Sequence, residues 1–313
     1  MSYLFVFVGL ILLFLGGELL VRGSVALALK LGVSKLIVAV VLVGFGTSAP
    51  EVLVSVESAV LGHPELALGN AVGSNIANIL LIVGVSAAIS PVVVQRAQVN
   101  HDMWLVLFVT AAFVAAGLIG EFTFWHGLVM VSCLGLYVFY GYKRARRTDT
   151  ADLTADTEID PETMSLSHAI IFAIVGLILL IIGADRLVVG AVGIAHDLGV
   201  PEAVIGLTVV AIGSSLPELA ICAAAARRRE PLVAIGNVLG SNIFNLLGAM
   251  GVVALITNVG IAETMIGLDL VIMFAMTVAL AVLLLYVNRI GRITGLCLVL
   301  AYCLYLAGQF DVF

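Results

Sequence analysis

One stretch of this sequence occurs twice: residues 44–84 align without a gap with a second stretch further along the chain. The motif Gly-Thr-Ser-Ala-Pro-Glu ends at Glu51, and its copy Gly-Ser-Ser-Leu-Pro-Glu ends at Glu218, an offset of 218 − 51 = 167. The motif Gly-Asn-Ala-Val-Gly-Ser-Asn-Ile-Ala-Asn ends at Asn78, and its copy ends at Asn245, at the same offset. Two matches at one offset predict that the chain consists of two related halves.

The motifs lie in a chain that is far more apolar than a soluble domain. Its residues are 62% hydrophobic and 11% charged, with a mean hydropathy of +1.23, whereas soluble domains are about 45–50% apolar and about 25% charged. A membrane-spanning helix needs about 20 apolar residues, and continuous apolar runs favour helices over an alternating β-barrel. We predict an all-α integral membrane protein with ten transmembrane helices. The predicted spans are 3–29, 35–61, 65–90, 100–119, 122–142, 166–195, 200–226, 231–257, 264–287 and 292–311.

A proline lies near the middle of the second and the seventh predicted span. Pro50 and Pro217 each remove one backbone hydrogen bond and clash with the carbonyl four residues earlier, so helices two and seven are predicted to be broken. Backbone carbonyls released inside a membrane need another partner, and a bound cation is a suitable one. We expect such free carbonyls around Gly44 and Ala211.

A glutamate directly follows each of these prolines, at membrane depth. A charge there costs roughly 2.5–3.5 kcal/mol even on the lenient insertion scale. No Lys or Arg lies beside Glu51 or Glu218 in the sequence, so each should be protonated, paired with a group of the other half, or bound to a cation. The other polar groups of the motifs are hydroxyls, amides and backbone carbonyls, which hard cations prefer. Two carboxylates balance one divalent ion, two sodium ions or two protons.

The second motif supplies hydroxyl and amide groups at helical spacing. Ser74 and Asn78 are four residues apart and share one helix face, as do Ser241 and Asn245 in the copy. The glycine pairs of the motif are typical of close helix packing. We expect the other asparagines to form interhelical hydrogen bonds rather than bind ions; they are Asn70, Asn75, Asn237 and Asn242. We interpret the four cysteines as small apolar residues; they are Cys133, Cys222, Cys297 and Cys303.

The distribution of Lys and Arg predicts how the chain crosses the membrane. Apart from Arg22 and Arg186 on helices, they lie in odd-numbered loops, so these loops should be cytoplasmic and both termini extracytoplasmic. The offset of 167 places Lys35 on Glu202 and Arg96 on Glu263, so one element is basic in one half and acidic in the other. Five spans is an odd number, and the second half should therefore be inverted, as in secondary transporters.

Three regions follow from this organisation: a five-helix repeat at 1–147, an acidic cytoplasmic linker at 148–165 and a second five-helix repeat at 166–313. We expect a multi-pass protein of the plasma membrane, or of the inner membrane if the source is bacterial. Its expected partners are the lipid bilayer and its transported ions. No cofactor, nucleic acid or obligatory protein partner is expected.

In these motifs the chain resembles the cation/calcium exchanger superfamily, and most closely its sodium/calcium exchanger branch, in the form without a regulatory loop domain. The resemblance implies exchange of Na⁺ and Ca²⁺ by alternating access, with the long, glycine-rich spans one and six sliding past a core. It also implies an ion-binding role for the two glutamates, neighbouring hydroxyls and amides, and two carbonyls. These residues are Glu51, Glu218, Thr47, Ser48, Ser74, Asn78, Ser214, Ser215, Ser241 and Asn245, with the carbonyls of Gly44 and Ala211.

One position departs from the family pattern, because relatives carry Asp where this chain has Asn245. The sequence therefore leaves the ion stoichiometry open. It predicts a secondary antiporter, not an enzyme, that exchanges Na⁺ for Ca²⁺ at a midplane site shared by Glu51 and Glu218. Exchange of protons for Ca²⁺, or exchange of another divalent or monovalent cation, is the alternative within this class, and a channel is a further possibility. An intramembrane hydrolase is a remote one, because no His or Lys lies beside Ser48 or Ser215 to act as a base.

Two further acidic pairs match at the same offset. Glu18 and Asp185 lie in the first and sixth spans, and we expect them to form ion pairs with Arg22 and Arg186. The second pair consists of Asp102 and Asp269, for which a position near a helix N-terminus is expected to suffice.

Overall fold

A computed structural model of the chain describes residues 1–118, 120–145, 164–198, 211–261 and 268–310. These residues are almost entirely helical. The helices are α1 (Ser2–Leu31), α2 (Lys35–Thr47), α3 (Ala49–Val60), α4 (Pro64–Ile89), α5 (Arg96–Gly117), α6 (Phe124–Ala145), α7 (Leu166–Asp197), α8 (Ala211–Ser214), α9 (Leu216–Arg227), α10 (Pro231–Ile256), α11 (Asp269–Val287) and α12 (Arg292–Phe310). Four two-residue strands complete the described part: β1 (Val92–Val93), β2 (Glu121–Phe122), β3 (Val259–Gly260) and β4 (Arg289–Ile290).

Helices long and apolar enough to cross a membrane dominate the described residues. Seven single helices meet this description, and the bent pair α2–α3 makes eight. Of the other two predicted spans, the tenth coincides with the shorter apolar helix α12, and the first half of the seventh lies outside the described residues. The all-helical membrane fold is confirmed, and the count of ten spans stays a prediction. The predicted linker at 148–165 lies almost entirely outside the described residues.

The second span is broken where its proline predicts a break. Helices α2 and α3 meet at Ser48 with a bend of 42°, and Pro50 lies in the first turn of α3, where its missing N–H costs nothing. The copy has the same interruption at Ser215, between α8 and α9, and Pro217 lies in the first turn of α9. Ser48 and Ser215 share one backbone conformation, with φ near −85° and −89° and ψ near 6°.

The two longest helices, α1 and α7, pack against each other in antiparallel fashion along a seam of glycines. On α1 the glycines recur every seven residues, and the same is true on α7. A Cβ atom added at Gly16 would lie 2.8 Å from the carbonyl oxygen of Gly176, and one added at Gly183 would lie 2.8 Å from the backbone nitrogen of Leu13. Only glycine permits backbones to approach this closely. The seam consists of Gly9, Gly16 and Gly23 on α1 and Gly176, Gly183 and Gly190 on α7.

Repeated sequence forms repeated structure. Helix α4 begins at Pro64 and ends at Ile89, and α10 begins at Pro231 and ends at Ile256, so both bounds differ by 167. The strands pair between the halves in a reciprocal manner, β1 with β4 and β2 with β3, each antiparallel. Helices α4 and α10 are buried along most of their length, whereas α1, α6 and α7 expose large apolar side chains. The repeated motifs therefore lie at the centre of the molecule.

Glycines of the second motif allow α2 to lie directly against α10. A Cβ atom added at Gly240 would lie 2.3 Å from the carbonyl oxygen of Val40, and one added at Gly236 would lie 2.9 Å from that of Leu36. This confirms the predicted close packing for the second copy. In the first copy, a Cβ at Gly73 would meet no described atom within 4 Å, and the position equivalent to Val40, 40 + 167 = 207, lies outside the described residues.

The acidic pairs outside the motifs have specific partners. Glu18 accepts from Arg22 at 3.3 Å and also from Arg228, and Asp185 lies 3.4 Å from Arg186, so both predicted ion pairs are present. The tyrosines of the following helices donate hydrogen bonds to the other two acids: Tyr137 to Asp102 and Tyr305 to Asp269, each at 3.1 Å. Asp102 lies beyond the first turn of its helix, contrary to expectation, because a Gln95–Gln98 capping box starts α5 at Arg96.

Candidate cation site

The breaks in the two proline-containing helices bring the first motif and its copy to the middle of the molecule. Thr47 ends α2, Ser48 occupies the break, and Glu51 lies in the first turn of α3. Ser214, Ser215 and Glu218 occupy the same positions at the junction of α8 and α9. Acidic side chains are stabilised in the first turn of a helix, where backbone N–H groups point outward. This local geometry places both glutamates at helix N-termini facing the protein interior.

Both glutamate side chains are buried, each with 1% of its surface exposed. Ser48 donates a hydrogen bond of 3.0 Å to Oε1 of Glu218 and so links the two halves. Oε2 of Glu51 and Oε2 of Glu218 have no hydrogen-bond partner among the described residues. Within the same residues, no Lys or Arg forms an ion pair with either glutamate. Buried carboxylates in this state need a proton or a cation.

Two amide groups from α4 and α10 face the same region. Asn78 donates to Oδ1 of Asn242 at 2.9 Å, across the two halves. Oδ1 of Asn78 and Oδ1 of Asn245 are buried and have no hydrogen-bond partner among the described residues. Asn78 and Asn245 each lie at the start of a wide π-helical turn, Asn78–Ile82 and Phe244–Ala249 respectively. Such turns alter the direction of side chains and occur often at functional sites.

The backbone carbonyl of Gly44, expected to be free, accepts hydrogen bonds in this conformation. Its donors are the backbone N–H of Ser48 and the hydroxyl of Ser241, each at 3.2 Å. The Thr47 hydroxyl is 3.4 Å from the same carbonyl and 3.0 Å from that of Val43. The Gly44 carbonyl is therefore not free, but its partners include hydroxyl groups, which can turn toward a cation.

The remaining predicted ligands belong to the same two motifs, and those whose side chains are described are buried or half-buried. Ser74 and Ser215 are buried, and Ser214 is half-buried. Ala211 begins α8, but its side chain lies outside the described part. Across the two halves, the structure joins Ser48 to Glu218 and Ser241 to the carbonyl of Gly44. It also joins the predicted ligand Asn78 to Asn242, one of the asparagines predicted to link helices.

Three of the asparagines predicted to join helices do so. One of them, Asn237, also contacts a cysteine, which the sequence did not predict. Asn70 donates to the Ser55 hydroxyl at 3.1 Å, and Asn237 accepts from Thr47 at 3.1 Å. Asn237 also donates to the sulfur of Cys222 at 3.3 Å, although Cys222 was interpreted as an apolar residue. The matched residue 222 − 167 = 55 is a serine, and this polar counterpart was the available signal.

The site offers four buried acceptor oxygens without a donor in the described structure, and two of them belong to carboxylates. The described residues contain no cluster of three or more His, Cys, Asp or Glu side chains that could hold a metal ion. The candidate ligands are therefore two carboxylates with neutral hydroxyl, amide and carbonyl oxygens. This set suits hard cations such as Na⁺ and Ca²⁺, and Ca²⁺ accepts six to eight oxygens in flexible geometry.

Comparison with known proteins places this arrangement among ion exchangers. The family model described as "Sodium/calcium exchanger protein" matches residues 1–143 and 168–310. The chain is 33% identical to the inner membrane protein YrbG of Escherichia coli, covering 88% of this chain and 86% of that protein. It is 29% identical to the sodium/calcium exchanger MaX1 of Methanosarcina acetivorans, covering 99% of both chains.

A solved structure has the same fold. The sodium-calcium exchanger NCX_Mj, soaked with Na⁺ and Ca²⁺, superposes with a TM-score of 0.85 at 31% sequence identity, covering 98% of this chain and 97% of that one. At this identity and coverage, the arrangement of helices around the two motifs is shared between the two molecules.

Proposed function

The chain belongs to the sodium/calcium exchanger protein family, and from this we propose that it extrudes Ca²⁺ in exchange for Na⁺ at a site shared by Glu51 and Glu218. It is an integral membrane protein and a cation antiporter, not an enzyme. The hydrolase alternative is thereby set aside.

The unpaired acceptor oxygens at the centre of the molecule are the observation that carries this proposal. Oε2 of Glu51, Oε2 of Glu218, Oδ1 of Asn78 and Oδ1 of Asn245 are buried without a donor among the described residues. An unpaired buried polar atom costs about 1–3 kcal/mol, and more when it is charged. A cation is a partner that carboxylate and amide oxygens can both bind.

Competition for the same carboxylates supplies the exchange mechanism. One Ca²⁺ or two Na⁺ neutralise both glutamates, so a bound ion of either kind excludes the other. With the carboxylates neutralised, the site can pass through the low-dielectric state that faces neither side; without an ion, two buried charges oppose that passage. Transport in one direction is thereby coupled to transport in the other.

The full ligand set of the proposal includes groups from both halves. Thr47, Ser48, Ser74 and the carbonyl of Gly44 would serve in the first half. Their counterparts in the second half would be Ser214, Ser215, Ser241 and the carbonyl of Ala211. The hydrogen bonds that Gly44 and Glu218 now accept from serine hydroxyls would yield to the ion.

The proposal includes the predicted topology: two five-helix repeats, 1–147 and 166–313, inverted relative to each other in ten spans. Both termini would be extracytoplasmic and the linker cytoplasmic, in the plasma membrane or a bacterial inner membrane. The reciprocal strand pairs and the matched bounds of α4 and α10 support it.

Flux driven by an ion gradient tests the function. Membrane vesicles containing the protein and loaded with Na⁺ should take up radioactive Ca²⁺ when diluted into Na⁺-free medium. We expect Glu51→Gln and Glu218→Gln each to lower this uptake at least a hundredfold, because each removes half of the charge that binds Ca²⁺. Glu65→Gln is the control, because Glu65 is exposed and pairs with His63. Undiminished uptake in both site variants would overturn the assignment.

The same assay tests whether Na⁺ or the proton drives Ca²⁺ uptake. Two carboxylates without a cationic partner can also take up two protons, which keeps proton/calcium exchange as the second candidate. Replacing the Na⁺ gradient by a pH gradient should leave uptake at background if Na⁺ is the coupling ion. Uptake driven by the pH gradient alone would identify the proton as that ion.

A further inference from the structure

Asn237 on α10 forms hydrogen bonds with a residue of each half next to the candidate site. The residue is completely buried. Its Nδ2 donates to the sulfur of Cys222 at 3.3 Å, and its Oδ1 accepts from the hydroxyl of Thr47 at 3.1 Å. Cys222 lies one helical turn after Glu218 on α9. One amide therefore connects a proposed ligand of the first half to the helix that carries the glutamate of the second half.

The direction of the Thr47 proton decides whether this hydroxyl can bind a cation. A threonine hydroxyl has one proton and two lone pairs, and a cation requires a lone pair. The proton therefore has to point to an acceptor away from the ion. The acceptors within reach are the carbonyl oxygens of Val43 at 3.0 Å and Gly44 at 3.4 Å, both on α2 itself, and Oδ1 of Asn237 at 3.1 Å, which the other half contributes. The Cys222 thiol donates to the carbonyl oxygen of Ala234 at 3.5 Å, so its sulfur is left to accept from Nδ2 of Asn237, and this favours the orientation in which Oδ1 faces Thr47.

We propose that Asn237 is a positioning residue of the exchange site, which receives the Thr47 hydroxyl proton and so presents that oxygen to the bound cation. This inference rests on the proposed function. The amide is neutral, so it orients the ligand without changing the charge that the two glutamates present. The Cys222 thiol holds the amide in this orientation.

The matched asparagine of the first half supports a bracing role for this position. Asn70 donates to the hydroxyl of Ser55 at 3.1 Å and to the backbone carbonyl of Glu51 at 3.2 Å. Ser55 follows Glu51 by one turn, as Cys222 follows Glu218. In both halves an asparagine thus holds the helix segment that follows the glutamate, and Asn237 additionally reaches the Thr47 hydroxyl of the other half.

Ion affinity in Asn237→Ala tests the inference. In the vesicle assay we expect the ion concentration that gives half-maximal flux to rise roughly tenfold, the size expected for one ligand hydrogen bond, with maximal flux within about twofold of wild type. The rise in unfolding temperature that Ca²⁺ produces in purified protein should shrink in parallel. Asn75→Ala is the matched control, because Asn75 is almost as buried but, among the described residues, donates to Ala71 of its own helix alone, at 2.6 Å. It should leave the half-saturating concentration unchanged.

A double-mutant cycle with Thr47→Ala distinguishes positioning from general loss of structure. If Asn237 acts through Thr47, adding Asn237→Ala to Thr47→Ala should weaken ion binding no further. Additive effects, an unchanged affinity in Asn237→Ala, or an equal loss in Asn75→Ala would overturn the inference.

Asn237→Leu, which has the same branching and leaves no cavity, serves if the alanine variant does not fold. If wild-type vesicles show no gradient-driven Ca²⁺ uptake, the proposed function fails as well; a normal wild type with an unaffected Asn237→Ala overturns this inference alone.

Discussion

At the scale of single residues, Ser48 is the contact through which the two carboxylate-bearing segments meet. It occupies the break between α2 and α3, it is completely buried, and it donates to Glu218 of the other half at 3.0 Å. Ser48→Ala removes a proposed ligand and a hydrogen bond to a carboxylate, which is worth about 1.5–3 kcal/mol. We expect the Ca²⁺ concentration for half-maximal uptake to rise about tenfold or more, measured in Na⁺-loaded vesicles.

Ser24→Ala provides the comparison for this variant. Ser24 is also a buried serine, but it lies on α1 and has no hydrogen-bond partner among the described residues. Its replacement should change neither the affinity for Ca²⁺ nor the maximal flux. An equal loss of affinity in both variants would show that burial of a serine, and not contact with Glu218, determines the effect of Ser48→Ala.

The sequence predicts the carboxylates better than the groups that hold them. Glu51 and Glu218 stand out because a charge at membrane depth is costly and both copies of the motif contain it. The contact of Asn237 with Cys222 depends on which turn of α10 faces α9, and this register follows from helix packing. A thiol within an apolar segment resembles any other small side chain, so its polar role becomes visible only beside Ser55 of the first half.

At the scale of helices, the glycine seam keeps the backbones of α1 and α7 in direct contact. A Cβ atom added at Gly16 would lie 2.8 Å from both the carbonyl oxygen of Gly176 and the backbone nitrogen of Leu180. The backbones would have to separate, so Gly16→Ala should destabilise the protein by about 1–3 kcal/mol, as overpacking does. Thermal unfolding in detergent measures this loss. The proposed exchange should slow as well, because the two helices would no longer move as one body.

Gly135→Ala is the control for the seam. Gly135 lies on α6, and an added Cβ atom there would meet nothing within 4 Å. Because alanine favours helix more than glycine does, this variant should be as stable as the wild type or more so. A Gly16→Ala protein with the wild-type unfolding temperature would contradict the tight contact between α1 and α7.

The sequence also predicts helix breaks better than local changes of helical pitch. Pro50 and Pro217 predict both interruptions, because proline lacks the N–H that a helix interior needs. The π-helical turns at Asn78–Ile82 and Phe244–Ala249 contain no such residue. They follow from how α4 and α10 pack on their neighbours, and the sequence of either helix alone does not contain that information.

At the scale of the whole molecule, the two halves share a fold but differ in packing. Helix α1 lies against α9, where a Cβ atom added at Gly17 would be 2.9 Å from the carbonyl oxygen of Ala220. In the described residues, α7 makes no comparable contact with α3, and Leu53, which is equivalent to Ala220 (220 − 167 = 53), is 70% exposed. This part of α9 is therefore covered by α1, whereas the equivalent part of α3 is not covered by α7. Alternating access, as proposed, requires a difference of this kind in a conformation that opens to one side.

The arginines at the end of α9 have no equivalents at the end of α3. Arg228 forms an ion pair with Glu18 of α1, and the guanidinium of Arg227 lies 4.6 Å from the centre of the Phe14 ring. The positions equivalent to these arginines are Val60 and Leu61, both 69% exposed. The ion pair between Arg228 and Glu18 connects α1 to the end of α9, on the side that the predicted topology assigns to the cytoplasm.

Removing this ion pair should shift the equilibrium between the two open states of the exchanger. Glu18→Gln or Arg228→Gln would weaken only the state in which α1 covers α9, so the cytoplasm-facing state should gain population. We expect the Ca²⁺ concentration for half-maximal flux to fall at the cytoplasmic face and rise at the opposite face, by about threefold to tenfold in ratio. Oriented vesicles, with Ca²⁺ varied on one face at a time, measure both values.

The charge-swapped variant Glu18→Arg with Arg228→Glu should restore most of the wild-type ratio, because the attraction between positions 18 and 228 is rebuilt with its signs exchanged, although the pair with Arg22 is lost. Asp185→Asn is the control on the other long helix, where Asp185 pairs with its exposed neighbour Arg186; it should leave the ratio unchanged. If the swapped variant has the same affinity ratio as the more impaired single variant, the charge pair does not hold α1 against α9. The difference between the halves then arises from the packing of α1 on α9 alone.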